Sequence, residues 1–187
     1  MIDEGFDPDF GPAVHAELQN IGKHPDAGAP LKDLRALLWS SIDNDDTRDL
    51  DQIEFAEEIS GNTSASGSGS AGNTPGEWRL YIAISDVDSE VPKGSAIDVH
   101  AAAQTTSVYT GAAIFSMIPP ELSAGATSIF AGSDRKSMVI EMIIAANGTV
   151  TSAQIYRAMV TNKAQLAYSS VGAWLDSGAA IPKTIAE

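Results

Sequence analysis

The alternation of apolar and polar residues in the first half of the chain predicts a β-hairpin. Residues 52–59 and 78–86 are both rich in β-branched and aromatic side chains, as strands usually are. The residues between them, 60–76, are almost all Gly, Ser, Thr, Ala and Asn, a composition typical of a flexible loop. We therefore expect the two strands to pair across this loop within one domain.

A second hairpin is predicted further along the chain. Residues 137–145 alternate weakly and are rich in β-branched residues. They are followed by Asn147 and Gly148, a dipeptide strongly associated with tight hairpin turns, and then by a partner strand at 149–160.

Three shorter segments are predicted to be helical and to lie around the sheet. These are residues 13–21, 97–104 and 166–175. Pro12 suits the first turn of the first helix, and further prolines make the rest of residues 1–30 an irregular lead-in. The pattern as a whole predicts an α+β fold with a curved, mostly antiparallel β-sheet and peripheral helices.

The charge balance narrows the classes of function. The chain of 187 residues has 25 Asp and Glu against 11 Lys and Arg, so its net charge is -14 at pH 7. Such an acidic chain does not have the composition of a basic nucleic-acid-binding module. The mean hydropathy of -0.04 is that of a globular protein rather than a disordered one.

Several kinds of site and segment are missing from the sequence. There are no cysteines, which excludes disulfide scaffolds, thiol catalysis and Cys-based metal sites, and the three histidines are not grouped as ligands. No apolar run reaches the ~18 residues of a membrane helix, and the acidic N-terminal residues do not form a signal peptide. We therefore expect a cytoplasmic protein that does not bind membranes.

The most unusual stretch is acidic. Residues 43–51 contain Asp43, Asp45, Asp46, Asp49 and Asp51. Apolar residues border and interrupt this stretch, so some of the carboxylates must lie near a core. Carboxylates packed this closely repel one another, and a bound divalent cation is a common remedy. A solvated acidic turn is the alternative.

One interpretation is a calcium-binding loop of the EF-hand type at residues 43–54. Asp43, Asp45, Asp49 and Asp51 fall at ligand positions of the twelve-residue frame, and Glu54 takes the last of them. Arg48, however, stands where the sharp turn requires Gly. Ile53 and Phe55 also do not indicate the helix that should follow the loop.

The other interpretation is a phosphoryl-transfer site. Cleavage of a phosphodiester with metal ions needs carboxylates that hold one or two Mg²⁺, and Asp43, Asp49 and Asp51 could supply them. Gln52 is a neutral neighbour of this set.

The residues around the acidic stretch resemble the RNB family, the exoribonucleases of the ribonuclease II and ribonuclease R type. SIDNDDTRDLDQIE at 41–54 is similar to the signature of that family. Further similar blocks follow in the same order at 78–98, 105–123, 134–150 and 162–175. The resemblance covers about residues 31–177.

The resemblance implies Mg²⁺-dependent, 3′-to-5′ hydrolysis of single-stranded RNA to 5′-mononucleotides, with Mn²⁺ as a second candidate cofactor. Asp43, Asp49 and Asp51 match the first three acidic positions of the family and would share metal binding, with Asp49 and Asp51 as the catalytic pair. The fourth position is normally Asp and here is Gln52, whose amide oxygen can still bind a metal ion but carries no charge.

Four further residues would contact RNA by the same resemblance. Tyr109 matches a tyrosine that stacks on bases near the RNA 3′ end, and Tyr168 matches one near the ribose. Arg135 and Lys163 are candidate phosphate contacts, with an ordinary surface role as the alternative.

Parts of the family pattern have no counterpart in this sequence. The catalytic domain of the family is longer, and its C-terminal half carries an arginine-rich Ser-Pro-x-Arg-Arg-Tyr block. We therefore expect residues 31–187 to be the N-terminal portion of an RNB domain, a fragment with limited or no activity alone. The full-length protein is expected to be a monomer that binds single-stranded RNA. An inactive RNB-like RNA-binding protein is the second interpretation.

Overall fold

A seven-stranded β-sheet is the largest element of the computed structural model, which describes residues 6–23, 30–59 and 76–186. Its strands are β1 (Lys32–Asp33), β2 (Ser40–Asp43), β3 (Gln52–Ile59), β4 (Glu77–Ser85), β7 (Asp134–Ile144), β8 (Val150–Thr161) and β9 (Ala164–Ala167). Two short strands, β5 (Val108–Tyr109) and β6 (Ile114–Phe115), pair separately.

The described helices are short and lie before, between or after the strands along the chain. They are α1 (Pro12–Leu18), α2 (Ala96–Gln104), α3 (Tyr168–Ser177) and α4 (Lys183–Ala186), with a 3₁₀ turn at Val87–Ser89 and a π-helical turn at Leu122–Ala126. None of the helices in the described part of the chain is long and apolar enough to cross a membrane.

The strand order across the sheet is β1-β8-β7-β4-β3-β2-β9. The four central pairings, from β8 to β2, are antiparallel, whereas the outermost pairings, β1 with β8 and β2 with β9, are parallel. The predicted α+β fold with a mostly antiparallel sheet is therefore confirmed. Both predicted hairpins also form, and Gly148 adopts the positive φ of 84° that the second turn requires.

The predictions for the shorter elements hold less well at their ends. The helix predicted at 166–175 is wrong at its start, because Leu166 lies in β9 opposite Ile42 and the helix begins at Tyr168. The loop predicted at 60–76 lies outside the described residues, apart from Gly76.

The main core lies on one face of the sheet. Ile53, Ala83 and Val139 stand side by side on β3, β4 and β7 and are fully buried. Trp39 lies in the same cluster, also fully buried, and its indole Nε1 donates a hydrogen bond to the Leu34 carbonyl at 2.9 Å. The strands near the acidic stretch are therefore fixed on a rigid base.

A second, smaller core joins the helices. Val14 on α1 packs with Ile97 on α2 and with Leu122. The Glu17 carboxylate accepts the backbone N–H groups of Ala96 and Ile97 at 3.0 and 2.8 Å, which satisfies the free donors at the start of α2. The segment predicted as a lead-in thus contributes a helix to a core.

The opposite face of the sheet, which we call the outer face, is also apolar. It carries Trp78, Leu80, Ile82, Ile84, Met138, Ile140, Met142, Ile144 and Ile155. These side chains are half-buried or exposed, and Ile155 is 68% exposed. An apolar surface of this extent is unusual on a monomeric protein.

The outer face is expected to bind an apolar fluorescent dye. Replacing Ile155→Lys places a charge within it and should lower the dye fluorescence and any self-association of the chain. Val99→Lys on α2 is the matched control, since Val99 is 60% exposed but lies outside the outer face. Equal dye binding by the two variants would contradict the prediction.

Asn162 ties the edge of the sheet together and is expected to be important for stability. It is fully buried, and its amide donates to Ser41 Oγ at 3.0 Å and to the Ile129 carbonyl at 2.9 Å. Asn162→Ala leaves these groups without partners and should cost about 2 kcal/mol of unfolding free energy. Urea denaturation measures this change, and the exposed Gln154→Ala should shift the midpoint far less.

Candidate functional site

The acidic stretch forms a loop between two neighbouring strands. β2 ends at Asp43 and β3 begins at Gln52. The Asp43 carboxylate accepts hydrogen bonds from the Asn44 backbone N–H at 2.6 Å and from Thr47 Oγ1 at 2.9 Å, which folds the loop back over the end of β2. The loop is thus stabilised by the first of its own aspartates.

A single apolar residue anchors the loop to the core. Leu50 is 2% exposed, its N–H donates to Ser128 Oγ at 3.1 Å and its carbonyl accepts from Ile129 N at 2.7 Å. The neighbouring Asp49 and Asp51 are held on either side of this anchor. Their positions therefore follow from the burial of Leu50.

The elements on either side of the acidic loop do not fit the calcium-loop interpretation. An EF-hand places its loop between two helices, whereas residues 43–54 begin at the end of β2 and finish within β3.

Asp51 lies at the junction of two cavities. One cavity of 160 Å³ is lined by Ser41, Ile42, Asp43, Leu50, Asp51, Gln52, Glu54 and Tyr168. The other, of 220 Å³, is lined by Asp49, Leu50, Asp51, Ser85, Val87, Ser107, Tyr109, Met117, Ile118, Ser123 and Thr127. The predicted metal ligands Asp43 and Gln52 thus share one cavity with Tyr168, Asp49 shares the other with Tyr109, and Asp51 borders both.

Tyr109 contacts the acidic loop directly. Its phenol donates a hydrogen bond to Asp49 Oδ2 at 2.8 Å. This bond, together with partial burial and the negative charges of Asp49, Asp51 and Asp43, raises the pKa of Tyr109 above its ordinary value. The hydrogen bond thus ties Tyr109 to the acidic loop at Asp49.

Tyr168 reaches the same region from the other end of the chain. The parallel pairing of β2 with β9 sets Asp43 opposite Ala167, so Tyr168, the next residue, begins α3 beside the acidic loop. The two tyrosines are similarly exposed, Tyr168 at 60% and Tyr109 at 63%.

Comparison with known proteins gives the family. A model of the RNB domain matches residues 31–186. The chain belongs to the RNB family.

Curated RNB relatives are moderately similar in sequence and much longer. Ribonuclease R of Vibrio parahaemolyticus is 34% identical over 166 residues, which cover 88% of this chain and 18% of that protein. Exoribonuclease 2 of Salmonella paratyphi B is 31% identical over 153 residues, or 81% of this chain and 22% of that protein. The chain spans about a fifth of the length of these relatives.

Solved structures agree on the fold of this RNB chain. RNase R of Mycoplasma genitalium in complex with double-stranded RNA superposes with a TM-score of 0.82 at 23% identity, over 100% of this chain and 31% of that one. Yeast Ssd1, described as a pseudonuclease, superposes with a TM-score of 0.62 at 12% identity, over 83% of this chain and 18% of that one.

The two predicted phosphate contacts, Arg135 and Lys163, line neither of the cavities at Asp51 in this RNB chain. Arg135 donates to the carbonyls of Ser128, Asp134 and Gly125 at 2.8, 3.0 and 3.3 Å, so its guanidinium holds backbone in place. Lys163 lines a shallow depression together with Asp134 and lines neither of the cavities at Asp51. Their contact with phosphate stays a prediction.

The donors at Asp51 have the chemistry of a site for a hard cation. Carboxylate and amide oxygens from Asp43, Asp51 and Gln52 are the ligand types that Mg²⁺ prefers. In the ranges that the structure describes, no three His, Asp or Glu side chains converge closely enough to hold a metal ion by themselves. Mg²⁺ commonly uses one or two carboxylates together with waters and substrate phosphates, so this donor set fits it.

Two features of this region were missed by sequence reasoning. Glu54 lies on the wall of the smaller cavity, and Gln52 Nε2 donates a hydrogen bond to Glu54 Oε1. The period of two along β3 could have indicated that both side chains share a face. Asp86, which directly follows β4, is 6% exposed and pairs with Arg157 Nε on β8 at 2.8 Å, a contact between residues distant in sequence.

The hydrogen bond between Tyr109 and Asp49 leads to a prediction about ionisation. Because that bond stabilises the neutral phenol, Tyr109 should titrate above the ordinary tyrosine pKa of about 10, and Asp49→Asn should bring its pKa back down. The phenolate absorbance of each protein is followed against pH, and the same variant with Tyr109→Phe is subtracted. Asp45→Asn is the control, and an equal shift in both variants would refute the assignment.

Proposed function

We propose that this chain forms part of a Mg²⁺-dependent exoribonuclease that hydrolyses single-stranded RNA from the 3′ end to 5′-mononucleotides. The observation that carries the proposal is that Asp51 joins the cavity lined by Asp49 and Tyr109 to the cavity lined by Asp43 and Gln52, in a chain of the RNB family. The named relatives are ribonucleases, and RNase R of Mycoplasma genitalium has been solved with RNA. A cytoplasmic location and a monomeric full-length protein remain predictions.

The aspartates divide the chemistry between them in this proposal. Mg²⁺ held by Asp43, Asp51 and Gln52 would lower the pKa of a bound water and neutralise phosphate charge. Asp51, which borders both cavities, accepts the proton of the attacking water. Asp49 orients the water or the metal and is itself held by the Tyr109 phenol.

The two tyrosines hold the RNA. Tyr109 and Tyr168 present exposed rings in the two cavities that meet at Asp51. Stacking of a base on an aromatic ring is tolerant of sequence, as a general RNA-degrading enzyme requires. The rings thus place the terminal nucleotide while the aspartates act on its phosphodiester.

The charge distribution supports limited activity of the chain alone. Its net charge is -14. Exposed carboxylates repel phosphates, and binding of RNA by proteins depends mainly on Lys and Arg contacts. The Arg135 guanidinium is committed to backbone carbonyls, and Lys163 lines neither of the cavities at Asp51. The basic surface needed for tight binding of RNA would have to come from other polypeptide.

An inactive RNA-binding protein is the second candidate function, and Gln52 is the observation that favours it. The family motif normally carries Asp at this position, so the site has one negative charge fewer to attract a cation. Ssd1, one of the proteins of similar fold, is itself described as a pseudonuclease.

The proposal predicts that RNA decay depends on Asp51. The chain is assayed alone and as a replacement for its counterpart within Vibrio parahaemolyticus ribonuclease R, on single-stranded RNA with Mg²⁺. We expect mononucleotide release from the chimera, weak or no release from the chain alone, and loss of about 10²-fold or more in Asp51→Asn.

Asp45→Asn is the matched control and should leave the rate of the chimera unchanged. A folded chimera that binds RNA but releases no mononucleotide would favour the inactive binding protein. Asp51-dependent decay by the isolated chain would overturn the proposed need for other polypeptide.

A further inference from the structure

Glu54 stands next to the position where the acidic motif departs from its family. Gln52 and Glu54 are two residues apart on β3, so their side chains leave the same face of the strand. Both line the 160 Å³ cavity together with Asp43 and Asp51. Neither the fold nor the family motif assigns a role to Glu54.

The contact between these two side chains has a direction. Gln52 Nε2 is the donor and Glu54 Oε1 is the acceptor. A carboxamide has an NH₂ group that donates hydrogen bonds and an oxygen that accepts them. An ionised carboxylate only accepts, so it can bond only to the NH₂ group. The bond therefore commits the nitrogen of Gln52 to Glu54 and leaves the oxygen Oε1 as the atom that can bind a cation.

Glu54 faces only uncharged residues on the two neighbouring strands, so the Gln52 amide is its specific partner. Its neighbours across the sheet are Ser40 on β2 and Ile82 on β4, and both are uncharged. Glu54 is half-buried, whereas Gln52 is exposed. The more buried side chain therefore holds the more exposed one.

The identity of the residue at position 52 decides whether the pair is attractive. Asp at this position would place two carboxylates on one face of β3, two residues apart, where they repel. Gln at this position converts the repulsion into a charge-assisted hydrogen bond. Gln52 and Glu54 thus form a matched pair.

We propose that Glu54 is a positioning residue that holds the Gln52 amide with its oxygen available as a neutral ligand for a divalent cation. Partners of this kind, which orient a ligand without touching the metal, are known to affect metal affinity strongly. The inference rests on the proposed cation site at Asp51. It explains how the site keeps a fourth oxygen ligand without a fourth aspartate.

The test is a double-mutant cycle on the full chain with Mn²⁺ as the probe, followed by the electron paramagnetic resonance of free Mn²⁺. Glu54→Ala should weaken Mn²⁺ binding about tenfold when Gln52 is present. In a Gln52→Ala background the same change should have little further effect, because the amide that it positions is gone. Equal losses in both backgrounds would overturn the proposal.

Two further variants separate positioning from general charge. Glu54→Gln keeps an oxygen that can accept the Gln52 N–H and should retain most of the affinity. Glu58→Ala, on the same strand and face, removes the same charge without contacting Gln52 and should have a small effect. A loss in Glu58→Ala equal to that in Glu54→Ala would refute a specific role. Thermal unfolding confirms that each variant is folded.

The outcome also separates this inference from the proposed function. Mn²⁺ binding that is absent, or unaffected by Asp51→Asn, would remove the cation site and the inference with it. Binding that depends on Asp51 but not on Glu54 would overturn the inference alone and leave the proposed function in place.

Discussion

The parallel pairing of β2 with β9 is the contact on which the candidate site depends. It sets Asp43, at the end of one strand, opposite Ala167, at the end of the other, and so delivers Tyr168 to the acidic loop. The buried Asn162 amide secures this edge by bonding Ser41 and the segment that also anchors Leu50. One network of buried hydrogen bonds thus positions the loop and the aromatic ring together.

The acidic loop places several carboxylates close together along the chain, and the burial of Leu50 fixes where they lie. Burial of Leu50 fixes the backbone, so Asp49 and Asp51 are held on either side of it; both line the larger cavity, and Asp51 also lines the smaller one. Two of the carboxylates accept hydrogen bonds from neutral donors, Asp49 from the Tyr109 phenol and Asp43 from the Thr47 hydroxyl. The loop can therefore hold five aspartates with Arg48 as the one basic residue among them.

Sequence reasoning succeeded where the signal is local. The hairpins follow from alternation along β3, β4, β7 and β8 and from a turn dipeptide, all visible within short windows. It failed at Leu166, because an apolar residue before a helix looks like part of that helix until its parallel partner on β2 is known. The roles of Arg135 and Glu54 were also out of reach, since each depends on which neighbour its side chain meets.

The position of β9 has a consequence for the order in which the molecule opens. β9 is the last strand of the sheet and is bonded on one side only, to a strand whose Ser41 lies 121 residues before Asn162. Contacts between such distant residues carry a large loop-closure entropy cost, and edge elements are among the first to exchange with solvent. Asp49 and Tyr109 precede β9 in the chain and contact each other without it. Tyr168 directly follows β9 and reaches the site only when β9 is paired with β2. Partial opening of the native state would therefore release one aromatic ring while leaving the aspartates in place.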